Sequence, residues 1–208
     1  MHRPQIWALA GPNGAGKSTL AELHIRGRLP IVNPDVIAQA LPRMADGRLD
    51  EGAAGRRAIL ERAGHLAAGR SFAFETTLSG HSELRAMQDA AARGFKVNLV
   101  YVGVPDAGAS AFRVEVRVQA GGHDVPPNHI ERRFERSMAN LPAAMRAADR
   151  TYLFDNSGDR HRLILVREDG QTRIVAKRMP DWIRAALPEE LRRATAADPA
   201  PTALPPGR

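Results

Sequence analysis

The 208-residue chain has no cysteine, and aromatic residues make up only 5% of it. Without thiols neither a disulfide framework nor a thiolate zinc site can form, which agrees with a reducing, cytoplasmic setting. Two Trp, two Tyr and six Phe leave few surfaces on which nucleic-acid bases could stack. Long hydrophobic runs are missing too. No stretch approaches the about 18 apolar residues of a membrane span, and the run after Met1-His2-Arg3-Pro4 is too short for a signal-peptide core. A soluble cytoplasmic protein with no membrane partner is expected.

Charge of one sign is in excess. Lys and Arg number 30 against 23 Asp and Glu, a formal net charge of +7. Clustered cations release counterions from nucleic-acid phosphates, so a binding module for RNA or DNA enters the field. Arginine greatly outnumbers lysine, however, and alanine is abundant, a bias that a GC-rich genome produces by itself. A phosphoryl-transfer site also wants arginine. A merely basic surface is therefore favoured, and nucleic acid is not expected as a partner. The 43% apolar content suffices for one buried core. We expect a single domain over residues 1–193 and a disordered Pro/Ala-rich tail over 194–208.

Apolar runs alternate with helical patterns, as in a parallel α/β sheet flanked by helices. Strands are expected at about Gln5–Ala10, Pro30–Asn33, Ser71–Glu75, Lys96–Val104 and Arg150–Phe154. Helices are expected at about Gly16–Arg26, Pro34–Leu41, Glu51–Ala68, Ser82–Arg93, Ala107–Ala120 and Pro127–Ala148, with Gly69 and Gly94 as C-terminal caps. Arg162–Val166 and Thr172–Ala176 flank an Asp169-Gly170 turn and form a C-terminal β-hairpin, followed by a short helix from about Pro180 to Arg193.

Directly after the first strand comes Gly11-Pro12-Asn13-Gly14-Ala15-Gly16-Lys17-Ser18-Thr19, a complete phosphate-binding loop entering a helix. Its glycines let successive N–H groups face the phosphates, Lys17 brings a point charge, and Ser18 offers a hydroxyl to Mg²⁺. The helix start adds the positive end of its dipole. The chain is thus expected to bind a nucleoside triphosphate with Mg²⁺, and the loop alone leaves open where the phosphate goes.

Other residues on the same sheet edge are candidates for chemistry. Asp35, after the second strand, could take a proton from an attacking hydroxyl, although Asn33-Pro34-Asp35 is equally ordinary capping chemistry. Glu75 ends the third strand, where a carboxylate orients Mg²⁺ or holds substrate, and Thr76 and Thr77 follow it as substrate-binding hydroxyls or as more strand. Arg113 and Arg117 lie four residues apart on one helix feeding Gly121-Gly122-His123-Asp124, which reads either as a solvated helix face, the commoner meaning of such spacing, or as a mobile lid over about 107–148 that brings charge to a transferring phosphoryl group. Arg132, Arg133 and Arg136 on the next helix compete for that role without rank. His123 and Asp124 lack a second histidine at ligand spacing, so a loop role or a hydrogen bond to substrate is expected rather than a metal site. Asp155-Asn156-Ser157 could meet the nucleotide base or simply turn the chain.

Residues 11–19, Asn33-Pro34-Asp35, Phe74-Glu75-Thr76-Thr77-Leu78-Ser79-Gly80 and Arg113…Arg117…Gly121-Gly122-His123-Asp124-Val125-Pro126 together resemble the short bacterial zeta-toxin-like P-loop kinases. Ile130 to Ser137, Asn140-Leu141 and Tyr152 to Ser157 are similar to that group as well, so the likeness spans about residues 5–178. It implies transfer of the γ-phosphate of ATP or GTP to the 3′-hydroxyl of the sugar in UDP-N-acetylglucosamine, with Mg²⁺ and an epsilon-type antitoxin as partner. By that resemblance Lys17 holds phosphates, Ser18 the metal, Asp35 is the base, Glu75 and Thr77 contact the substrate, and Arg113 or Arg117 supplies the lid charge. The same loop is frequent in ABC-type ATPases, and Leu78-Ser79-Gly80 superficially resembles their signature. That signature begins a helix far downstream and precedes a strand ending in Asp-Glu, which this chain lacks.

Overall fold

Alternation along the strands decides the architecture. In the computed structural model, which describes residues 3–122, 124–168, 170–187 and 189 and the backbone of 195–196, β1 (Gln5–Ala10) splits its side chains between two apolar layers. Ile6, Ala8 and Ala10 enter one layer, and Trp7 and Leu9 enter the other. β4 (Lys96–Gly103) does the same, with Val97, Leu99 and Tyr101 on one face and Val100 and Val102 on the other. Strands buried on both faces need helices on both sides, which is why their runs are continuously apolar.

The remaining strands are β2 (Ile31–Val32), β3 (Phe72–Thr76), β5 (Arg150–Asp155), β6 (Arg162–Glu168), β7 (Gln171–Ile174) and β8 (Thr195–Ala196). They join one sheet in the order β2-β3-β1-β4-β5-β6-β7-β8. The first five strands are parallel, β6 and β7 run antiparallel as a hairpin, and β8 pairs parallel with β7. One face is covered by α1 (Lys17–His24) through Leu20 and Ala21. The other receives Ala58 and Leu66 of α3 (Glu51–Ala67), Met87 and Ala90 of α4 (His81–Ala92), and Leu141, Ala144 and Met145 of α6 (Pro127–Ala147). The further helices are α2 (Pro34–Ala40), α5 (Ala107–Gln119) and α7 (Asp181–Ala186). This is an α/β P-loop kinase-like fold with a C-terminal hairpin.

Some elements differ in extent from their sequence patterns. β2 holds two residues because prolines flank it at 30 and 34, and Asn33 turns to cap α2 by accepting the Asp35 amide at 2.9 Å. α7 ends at Ala186, Glu189 is helical again, and residues 188 and 190–193 of the expected helix lie outside the described residues. Leu187 precedes a proline, which disfavours helical geometry, and its buried side chain joins the core. Gly69 and Gly94 stand just past α3 and α4 with φ of +61° and +82°, the left-handed caps their positions suggest. Asp169 of the hairpin turn lies outside the described residues, as does the expected tail apart from Thr195–Ala196.

Asp155, a candidate base contact, is instead committed to holding the sheet end together. It is 5% exposed and accepts from the Trp182 indole at 3.0 Å, from Arg162 at 3.2 Å and from the Ser157 hydroxyl. These bonds tie α7 and β6 to the end of β5. Asp155→Ala leaves a buried indole N–H without an acceptor, so the urea midpoint is expected to fall by the equivalent of about 2–3 kcal/mol at unchanged m-value. An unchanged midpoint would show that the network carries no stability.

Candidate active site

β1 lies between β3 and β4, so the chain leaving its C-terminal end emerges where the strand order reverses, the place where open α/β sheets bind ligands. A cavity of about 410 Å³ opens there. Lys17 and Ser18 line it together with Asp35, Glu75, Thr76, Thr77, Arg113 and Arg117. Topology thus brings together side chains spread over a hundred positions of sequence.

The phosphate loop is braced both from within and from outside. Lys17 Nζ donates to the Gly11 and Pro12 carbonyls at 2.9 and 2.8 Å. Asn156 Nδ2 donates to the Ala15 carbonyl at 2.9 Å, so this residue buttresses the loop. The Ser110 hydroxyl donates to the Asn13 carbonyl, and a Cβ at Gly14 would stand 2.8 Å from the Ser110 carbonyl. Glycine at 14 is therefore the condition for α5 to rest on the loop. Burial pulls the Lys17 pKa below 10.5, Glu75 and Asp35 push it back up, and Arg117 and Arg133 lower it further.

Ser18 and Glu75 meet. Parallel pairing sets Glu75 opposite Leu9, and the Ser18 hydroxyl donates to Glu75 Oε2 at 2.8 Å. Glu75 is 8% exposed. Hydroxyl and carboxylate are hard oxygen donors of the kind Mg²⁺ takes alongside phosphate oxygens and waters, so the pair fits that ion. Among the described residues no group of three His, Cys, Asp or Glu gathers as a protein-only cage.

Asp35 serves both readings of its motif. Its amide is taken by the Asn33 cap, and its exposed side chain lines the cavity. Beyond β3 the chain turns sharply: Leu78 has φ +58° yet is fully buried, the Thr76 hydroxyl accepts its amide at 2.9 Å, and Asn140 donates to its carbonyl at the same distance. A bulky residue in the left-handed region stores strain. It turns Thr77 and Ser79, whose hydroxyls lie 2.8 Å apart, toward the cavity they both line. With Leu78 in the core and Ser79 in the chain's own pocket, the resemblance to an ABC signature loop is only in letters.

The arginines separate. Arg113 and Arg117 line the cavity, and Arg113 also donates to the Gly158 carbonyl at 3.4 Å. α5 ends in a Schellman cap: Gly121 N–H bonds the Val118 carbonyl and Gly122 N–H the Arg117 carbonyl. A Cβ at Gly122 would lie 2.5 Å from Arg117 Cγ, so the glycine pair seats this arginine. Of the three candidate arginines on α6, Arg133 lines the cavity and bonds Glu51 at 3.1 Å, whereas Arg132 and Arg136 are exposed. Sequence could not rank them, because the choice depends on how α6 packs against α4 and α5. Asn33, Glu51, Ser79 and Glu83 are further lining residues that sequence reasoning passed over. His123 lies outside the described residues, and Asp124 is exposed.

The profile of a family described as an AAA domain matches residues 6–142. The chain belongs to that family. This AAA-domain chain is 33% identical over 147 residues to an uncharacterized protein of Haemophilus influenzae, covering 64% of the chain and the whole of that protein. It is similar in fold to the AvrRxo1-ORF1:-ORF2 complex crystallised with ATP, with a TM-score of 0.66 at 20% identity over 83% of this chain and 60% of that one. It thus spans about three fifths of that longer chain. A chain of the PezAT chromosomal toxin-antitoxin system of Streptococcus pneumoniae superposes with a TM-score of 0.59 at 14% identity, over 91% of this chain and 80% of that one. Among the described residues no helix is long and apolar enough to cross a membrane.

Two outcomes follow for the loop and its arginines. Folded Lys17 holds its proton less tightly than unfolded Lys17, so the unfolded state binds more protons between the lowered pKa and 10.5. Stability should then rise with pH across that window, and Lys17→Met should remove this contribution to the slope of urea midpoints against pH. Arg133→Ala should weaken triphosphate binding in a calorimetric titration by about tenfold, whereas Arg132→Ala should change it less than about twofold. Equal effects would refute the ranking.

Proposed function

We propose that the protein is a phosphotransferase of the zeta-toxin type, moving the γ-phosphate of ATP or GTP to a sugar hydroxyl of UDP-N-acetylglucosamine. The observation that carries this reading is the meeting of Lys17, the Ser18–Glu75 pair and Asp35 around one cavity, with Arg113, Arg117 and Arg133 on its walls. A carboxylate could also activate water in an ATPase, but the paired hydroxyls of Thr77 and Ser79 beside it suit an acceptor rich in hydroxyl groups. Asp35 accepts the proton of the acceptor hydroxyl as its oxygen bonds to the γ-phosphorus and the bond to the bridging oxygen breaks, leaving ADP or GDP. Lys17 and the loop amides hold the donor, and the arginines stabilise charge spreading over the equatorial oxygens. Mg²⁺, held by Ser18 and Glu75, would neutralise phosphate charge. Thr76 keeps its hydroxyl on the Leu78 amide, so Thr77 is the better placed acceptor contact.

A partner protein of the epsilon-antitoxin type belongs to this proposal, since AvrRxo1-ORF1 is found with AvrRxo1-ORF2 and the PezAT chain comes from a toxin-antitoxin system. A cytoplasmic setting, where nucleotide and UDP-sugar are both present, belongs to it as well. Mass spectrometry of UDP-N-acetylglucosamine incubated with protein, ATP and Mg²⁺ should show the mass gain of one phosphate. Asp35→Asn should reduce that transfer by about 10²–10⁴-fold while ATP binding persists. Near-normal turnover in this variant would remove Asp35 as the base, and phosphate release without a modified sugar would point to an ATPase.

A further inference from the structure

On the side of the cavity built by α4, two buried polar atoms lack partners. Glu83 Oε2 and Arg62 Nε are both shut from solvent and make no hydrogen bond. Arg62 projects from α3 with only 5% of its surface exposed, its guanidinium 5.1 Å from the centre of the Phe74 ring. Its Nη1 stands 3.9 Å from Glu83 Oε1, which also accepts from the Ser82 hydroxyl at 2.9 Å. One carboxylate oxygen is therefore served from behind, and the other is not.

An ordinary structural duty does not account for this arrangement. Glu83 is the third residue of α4, where a glutamate commonly reaches back to the capping residue's amide, yet Oε2 makes no such bond. As a stabilising ion pair the contact is poor, because a buried pair at 3.9 Å with two unmet polar atoms costs more than it returns. Gly80 permits the aim: a Cβ there would lie 2.8 Å from Oε2. Glu83 lines the cavity beside Thr77 and Ser79. An ionised carboxylate only accepts hydrogen bonds, so its natural complement is a hydroxyl or amide N–H, and another carboxylate is repelled.

Resting on the kinase reading above, we propose that Glu83, positioned by Arg62 and Gly80, determines acceptor specificity. Its unpartnered oxygen, covered beside Gly80 until the side chain rotates toward an entering acceptor, accepts hydrogen bonds from hydroxyl or amide N–H groups of an uncharged sugar ring and excludes a sugar bearing a carboxylate. Binding titrations with a non-hydrolysable ATP analogue and Mg²⁺ test this without turnover, using UDP-N-acetylglucosamine, UDP-glucose and UDP-glucuronate. The unaltered protein should bind the two neutral sugars at least about tenfold tighter than the glucuronate. Glu83→Gln should narrow that ratio about tenfold while the affinity for the ATP analogue stays put. A purely structural glutamate would weaken all three sugars alike. Gly80→Ala, which keeps the carboxylate but displaces it, should weaken the neutral sugars and provides the test if Glu83→Gln does not fold. An unchanged ratio in Glu83→Gln, or no discrimination by the unaltered protein, overturns the assignment. Discrimination in binding without phosphate transfer would sink the kinase reading alone, and transfer with an unchanged ratio would sink Glu83 alone.

Discussion

In-register parallel pairing of β1 with β3 is the constraint on which the rest of the site depends. It puts Glu75 level with Leu9, two residues before the phosphate loop begins, and so delivers a carboxylate to the Ser18 hydroxyl. A slip of one residue would send Glu75 to the opposite face and break the pair. The same register places the Leu78 turn at the cavity edge, which aims Thr77 and Ser79.

Around this fixed edge the protein spends local irregularity where chemistry needs it. Leu78 occupies a left-handed conformation inside the core and is held there by Thr76 and Asn140. Strain of this kind persists only where neighbours over-determine it. Glycines 14, 80 and 122 remove side-chain atoms where the loop meets α5, where Glu83 approaches the cavity and where Arg117 is seated. The buried lysine and the unmet atoms of Arg62 and Glu83 are costs of the same kind, borne by a sheet core that is apolar on both faces.

The wall formed by α5 is more fixed than a free lid. Ser110 and Gly14 tie the helix to the loop, and the Gly121-Gly122 cap that reads in sequence as a breaker closes the last turn around Arg117. Arg133, from a different helix, reaches the same cavity and bonds Glu51. Cation placement thus depends on two helix crossings rather than on one flexible segment.

Much of this was legible beforehand. Strand and helix positions follow from apolar periodicity and from Gly and Pro punctuation, and residues 11–19 announce the phosphate site because loop, strand and helix are contiguous. Asp35 and Glu75 were visible as acids at strand ends, since a parallel sheet gathers its C-terminal ends on one edge. What stayed hidden are relations between distant segments: Asn156 bracing Ala15, Asp155 bound to Trp182, and Glu83 turned inward instead of capping its helix. The sequence alone determined the fold class and the phosphate loop, because both rest on patterns within a few turns of chain. Only the tertiary structure decided which arginine, which hydroxyls and which glutamate share the cavity, because helix crossing and strand register are set by packing across the whole core.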